Sequence, residues 1–263
     1  MQDYKKLNNQ PVKLVLAEFR FSPVMQIAEY IPRLQEALRR TYPISEKKNE
    51  QMIQVQPGGI AVSTLDRWSF ISANRKSAVD INQERLIYYT AEYSGFNDFS
   101  DSCKQALDVL ASIVEPTLII RIGLRYGNLI KIDNGEKIAD LVDAHFGFPN
   151  GIEELSDPQQ QRNQQVVETF ISTTIGGLAI RTLYGKHNLT CLRDLQALPI
   201  VIEKNETPAE SLILDLDHFW EAKDETLYFQ TNEILEKSRL LHETSRAAFW
   251  KLTTDYARNE KWV

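Results

Sequence analysis

Along residues 12 to 21 the side chains alternate: Val15, Ala17, Phe19 and Phe21 fall on one side, Leu14, Leu16, Glu18 and Arg20 on the other. A period of two predicts a strand with its first set turned to a core. Ser22-Pro23 follows as an N-cap and first-turn proline, and Ile27, Ile31, Leu34 and Leu38 recur at helical spacing. Pro32 is expected to kink or restart that helix and Pro43 to end it. From Gln51 to Tyr93, short β-rich runs separated by turn signals at Pro57-Gly58-Gly59 and near Asn74 predict three or four antiparallel strands. The stripe Phe99, Cys103, Ala106, Leu107, Leu110, Val114 predicts an amphipathic helix, closed by Pro116.

The order then recurs. Thr117 to Ile132 reads as a strand in which Arg121-Ile122-Gly123-Leu124-Arg125-Tyr126 overlays Leu16-Ala17-Glu18-Phe19-Arg20-Phe21, so that Arg125 falls on Arg20. A turn at Asp133-Asn134-Gly135 leads to a short helix ending near Gly147 and Pro149, and the polar stretch Asp157 to Gln165 reads as a loop or strand lead-in. Strands are predicted at Val166 to Ile175, Leu178 to Tyr184, Leu198 to Glu203 and Ser211 to Asp217, with Gly176-Gly177 as a hairpin turn. The last helix, Gln230 to Arg258, carries Leu241, Ser245, Phe249, Leu252 and Tyr256 toward the core.

This pattern predicts an α+β protein built by internal duplication of a β-α-β-β-β-(β)-α unit, with halves at 1–116 and 117–263. Antiparallel sheets joined edge to edge would carry helices on one face and leave the other open. The element order is similar to duplicated saddle folds such as the TATA-binding protein; that similarity carries no function.

The chain of 263 residues, 43% hydrophobic and 25% charged, has the composition of a globular protein. Its formal net charge of -6 disfavours indiscriminate binding to nucleic acid or anionic membranes. Neither Cys103 nor Cys191 has metal or disulfide spacing, Met1 to Gln10 lacks the apolar stretch of a leader, and no apolar run approaches a membrane span. A cytoplasmic protein is expected.

Candidate chemistry collects on the strand faces opposite the apolar ones: Glu18 and Arg20, Arg121 and Arg125, Asp215 and Asp217. Such a mixed set is either a solvated ion-pair ladder or a partner-binding surface, and these six are the candidate partner-binding residues. Asp215-x-Asp217 could alternatively hold a divalent cation with Glu92 or Glu18. His145, His187, His218 and His242 form no ligand pair, and His242 beside the apolar stripe reads as a hydrogen-bonded boundary histidine. Trp68, Phe70, Tyr88, Tyr89 and Tyr93 could stack bases on an open sheet but lack interleaved cations, and read as cross-strand packing. Arg39-Arg40 and Lys47-Lys48 read as helix-end and loop charges. No nucleophile elbow, phosphate loop or dinucleotide turn is present, so no catalytic set, cofactor or metal is expected.

Glu18-Phe19-Arg20-Phe21, Leu124-Arg125-Tyr126, Leu214-Asp215-Leu216-Asp217, Leu241-His242, Phe249 and Thr253-Thr254-Asp255, in this order and spacing from about Pro11 to Arg258, resemble a sporadically distributed, uncharacterised bacterial family of similar length. The resemblance implies an accessory protein, encoded beside defence or conflict genes, and implies no reaction. Three functions are open at this point. The leading one is a non-enzymatic binding protein that takes a protein partner through the open sheet face or the C-terminal helix, with a homodimer as a further possibility. The others are a metal-dependent nucleotide or phosphoester enzyme using Asp215 and Asp217, and a nucleic-acid-binding saddle, which the net charge disfavours.

Overall fold

The computed structural model describes residues 4–56, 59–133, 135–143, 164–187, 189, 192, 195, 197–202, 210–223 and 225–263, with the side chains of 50–64 outside the description. The predicted loop ahead of Gln164, the turn at Pro57-Gly58, His145 and Cys191 therefore lie outside the described residues. Ten strands form one antiparallel sheet: β1 (Val12–Phe21), β2 (Ile44–Gln56), β3 (Gly59–Ile71), β4 (Ser77–Ile81), β5 (Arg85–Thr90), β6 (Leu118–Lys131), β7 (Gln164–Thr173), β8 (Gly176–Gly185), β9 (Ser211–Glu221) and β10 (Leu227–Tyr228). The helices are α1 (Ile27–Leu38), α2 (Phe96–Ile113), α3 (Ile138–Leu141) and α4 (Thr231–Leu252), followed by a π-helical turn at Ala257–Lys261. The protein is α+β, as the sequence pattern predicts. No helix among the described residues is long and apolar enough to cross a membrane.

The order across the sheet is β2-β3-β4-β5-β1-β6-β9-β8-β7, with β10 pairing to β6. The two strands that overlay in sequence, β1 and β6, are neighbours at its centre, antiparallel, with Glu18 opposite Gly123 and Arg20 opposite Arg121. Arg20 and Arg125 thus stand two residues beyond the Glu18–Gly123 pair, in opposite directions. Outward from the centre both wings run in the same sense: first strand, last long strand, then the preceding ones.

On one face, Val15, Ala17, Phe19 and Phe21 of β1 and Ile122 and Leu124 of β6 meet α1, α2 and α4 in the larger core. The helices supply their periodic positions: Leu34 and Leu38 from α1, Leu107 and Leu110 from α2, Ile234 and Leu241 from α4. Side-chain shape and area drive this layer, each fully buried Leu or Ile contributing about 1.5–3 kcal/mol. Leu252 is also buried and Phe249 is half-buried, whereas Tyr256 is 41% exposed because α4 ends at Leu252 rather than continuing to Arg258.

The opposite face is not wholly open. Leu189, Leu195, Ile200 and Ile202, from the connection between β8 and β9, lie over Leu14, Ile71, Tyr89, Leu129 and Ile213 in a second core. The predicted strand at 198–203 is part of this cover: its described residues are irregular, tied by the Val201 N–H to the Arg75 carbonyl.

Three local expectations change. α1 begins at Ile27, not at Pro23, and the Ser22 hydroxyl accepts from the Leu118 N–H instead of capping a helix. Pro32 sits inside α1 without breaking it, because its missing donor frees only one carbonyl in the early, solvent-facing turns. The β7–β8 hairpin turns at Thr174-Ile175, and Gly176 opens β8; a Cβ there would lie 1.9 Å from the Phe219 carbonyl oxygen, so only glycine permits this approach.

Candidate functional site

Strand alternation brings all six sequence candidates onto one face, where they divide into two ion clusters. Glu18 is the centre of the first. Its carboxylate accepts from Arg20 Nε at 3.0 Å and Arg121 Nη1 at 2.5 Å, with Arg85 Nη1 at 3.6 Å. The register explains the convergence: Glu18 stands opposite Ile87 and Gly123, so Arg85 and Arg121 sit two residues away on either flanking strand. A Cβ on Gly123 would lie 2.7 Å from Arg121 Nη1; its absence lets that guanidinium fold over β6 toward Glu18. The same guanidinium lies 4.5 Å from the centre of the Phe219 ring and 3.7 Å from Glu221.

Asp215 is the centre of the second cluster and is fully buried. Arg125 grips it with both prongs, Nε to Oδ1 at 2.7 Å and Nη2 to Oδ2 at 2.8 Å, the fork geometry that makes arginine–carboxylate pairs strong. Arg181 adds a bond to Asp215 at 3.2 Å, lies 3.8 Å from Asp217 and binds Glu168 at 2.6 Å. Burial pushes the Asp217 carboxyl up from its ordinary value, against the pull of Arg125 and Arg121. Around Glu18 three arginines (20, 85, 121) face two carboxylates (18, 221), and around Asp215 two arginines (125, 181) face three (168, 215, 217), so the face is positive toward β1 and negative toward β8.

Position in the network decides what each group can do. The Arg20 side chain is 44% exposed and that of Arg125 only 8%. Arg125 and Asp215 hold the sheet together from within it, whereas Arg20 has donors left for solvent or a partner. A divalent cation finds little here: Asp215 is saturated by guanidinium groups, Glu18 is shared among arginines, Glu92 accepts from Asn74, and no group of three His, Cys, Asp or Glu suited to a metal stands among the described residues.

Toward the β7 edge the charged face gives way to apolar surface. Val166 and Phe170 alternate with Glu168 on that face, 64% and 62% exposed, and Ile171 is 42% exposed on the other. Phe170 meets Phe219 at 6.1 Å, and Phe219 carries Arg121. A ridge Phe170–Phe219–Arg121 therefore runs from the sheet edge to the Glu18 cluster. On its outer side β7 pairs with no strand among the described residues.

The aromatic residues read from the sequence do not form a stacking platform. Phe70 and Tyr88 point into the helix-covered core, Tyr88 against Phe99 at 5.3 Å, while Tyr89 is buried on the opposite face with its hydroxyl on Asp80. Among the described histidines, His218 is buried with both nitrogens used: Nδ1–H donates to the Leu241 carbonyl at 3.0 Å, leaving Nε2 to accept from Thr173 at 2.9 Å. Burial lowers its pKa.

Sequence reasoning missed a cavity of about 720 Å³ between β6, α4, the start of α2 and the segment from Tyr4 to Val12. His242 stands in its wall, stacked flat on Phe96 with ring centres 4.1 Å apart and 2° between planes. Its Nδ1 is hydrogen-bonded to the Tyr126 hydroxyl at 2.7 Å, and Tyr126 in turn to Tyr93. Desolvation, then the charge of Arg246, lowers the His242 pKa to about 4; desolvation raises Tyr93 to about 12 and pushes Tyr126 well above its ordinary value. The available signal was Tyr126 and Asn128, polar residues on the inward-facing set of an otherwise apolar strand.

No protein-family model matches the chain, and no curated protein matches it closely enough to count as a relative.

Proposed function

We propose that this is a cytoplasmic, non-enzymatic binding protein of a bacterial accessory or defence system, which takes a protein partner on the charged face of its sheet along the β7 edge. The observation that carries the reading is the Phe170–Phe219–Arg121 ridge. Aromatic and arginine side chains are what protein interfaces concentrate at their centres; here an exposed Phe170 leads to the half-buried Phe219 and Arg121, beside surface with charge of both signs, which sets orientation. The outer edge of β7, which pairs with no strand among the described residues, adds backbone donors and acceptors for a partner strand. α4 is the weaker candidate, because Ile234, Ser238, Leu241, Ser245 and Leu252 are buried against the sheet and α2. The bacterial and defence setting rests on the family resemblance alone.

The test places a photoactivatable benzophenone side chain at position 170, and at the exposed Glu36 of α1 as control, in the native cell. A discrete protein adduct at 170 that is missing at 36 and weakened by Arg121→Ala supports the reading. An adduct of the chain with itself assigns the edge to a homodimer, and no adduct at 170 overturns the proposal.

A further inference from the structure

We infer that the cavity beneath α4 is a second binding site, for an uncharged, planar heteroaromatic ring bearing an N–H or amino donor, a class to which the nucleobases belong. Its volume, about 720 Å³, falls in the range of small-molecule sites, and it is walled by flat side chains: Tyr93, Phe96, Tyr4 and Trp250. Such walls select a flat guest through stacking.

Asn128 and His242 in the wall each keep one polar atom with no partner among the described residues. Asn128 is only 3% exposed, and its amide is oriented by its own nitrogen, which donates to the Leu214 carbonyl at 2.9 Å and lies 3.4 Å from that of Tyr126. Oδ1 is thereby left over on a residue that lines the cavity, an acceptor with no donor among the described residues. The second atom is His242 Nε2, whose ring partner Nδ1 is committed to Tyr126. When the Tyr126 hydroxyl donates to Nδ1, Nε2 carries the proton and donates; when Nδ1–H donates to Tyr126, Nε2 accepts. The Tyr93–Tyr126–His242 chain can adopt either sense, so the pair of atoms meets a ring edge that offers a donor to Asn128 and either role to His242. Tyr126 and Asn128 are alternate residues of one strand, about 7 Å apart, a span a ring of one or two cycles fills.

The lack of charge follows from the desolvation of the inner wall. Of the cations at the rim, Arg239 pairs with Glu236 and Glu243, Arg246 donates to the Tyr4 carbonyl while lying over the Tyr4 and Trp250 rings, and Lys5 and Lys6 line the outer part with exposed side chains. The wall itself resists charge of either sign, as the lowered His242 and raised Tyr93 and Tyr126 pKa values independently indicate. An ion that entered as far as the buried Asn128 would lose its hydration.

The test titrates the full chain with adenine, uracil, benzoate and benzamidine, following the His242 imidazole nitrogens by ¹⁵N NMR and affinity by calorimetry. At least one neutral base should bind saturably, shift Nε2, and bind at least tenfold more tightly than either charged ring. Ala247→Phe, which fills the cavity from half-exposed α4 without touching the polar atoms, should abolish binding, and Asn128→Asp should weaken it; a circular dichroism melt confirms that each variant is folded. Failure of both bases to bind, tighter binding of benzoate or benzamidine, or undiminished binding in folded Ala247→Phe would each overturn the inference. None of these outcomes depends on the protein partner proposed for the opposite face.

Discussion

The two faces of the sheet both keep polar groups at their centre, and they do so in opposite ways. Beneath the helices, Tyr93, Tyr126 and His242 are held neutral, linked by hydrogen bonds among uncharged groups, with desolvation moving each pKa away from ionisation. On the other face Arg125, Asp215 and Glu18 each meet groups of opposite charge within hydrogen-bonding distance. A low-dielectric site tolerates a polar group when it is neutral and bonded, or charged and paired; an unpaired ion is what it excludes. The helix face therefore suits uncharged small molecules and the charged face suits a polar macromolecular surface.

The largest break in this comparison comes from unpairing the buried charge. Asp215→Ala leaves Arg125 without its fork partner and should cost about 3–5 kcal/mol in a urea melt; a cost below about 1 kcal/mol would mean the pair is solvated. Next comes the neutral face. Because the folded-state pKa of His242 lies near 4, below its ordinary 6.5, the unfolded chain binds the extra proton first, so stability falls as pH drops from about 6.5 toward 4. His242's part of that fall is on the order of 2–3 kcal/mol, and His242→Phe should remove it from the pH profile, leaving the similarly directed part of His218. An unchanged slope would show the imidazole to be solvated. Smaller still, Asp217→Asn should raise the melting temperature slightly at neutral pH, because the raised folded-state pKa makes the charged form costly above the ordinary value of 3.8; the gain should vanish below it. A lower melting temperature would show that its arginines outweigh its burial. The smallest effect belongs to Arg20→Ala: its exposed side chain should be worth under about 1 kcal/mol to folding, while partner capture at position 170 falls. Loss comparable to Asp215→Ala would place Arg20 in the structural network.

Arg20 and Arg125 show how far the sequence reaches. Their matched places in two overlaid strand patterns are readable from alternation, as are the strands themselves, the helices α2 and α4, and the shared face of Glu18, Arg121, Asp215 and Asp217. Whether each arginine is exposed or locked is not readable, because that depends on register across strands: Arg125 finds Asp215 90 residues away. Tyr126 likewise meets His242 across 116 residues, so the sequence shows a boundary histidine where the fold makes a cavity wall. The strand pattern read at 198–203 does not give a strand in its described residues, since they are irregular and ordered by the apolar surface they lie on.

Local periodicity, a property of neighbouring residues and backbone geometry, determined the elements, the α+β class and the composition of each face. Tertiary packing alone decided that β1 and β6 meet at the centre, that β7 pairs with no further strand among the described residues and leaves Phe170 exposed, and that α4 stands off β6 far enough to leave a cavity. Those outcomes rest on contacts between residues distant in the chain, where burial and pairing, not propensity, set the energy.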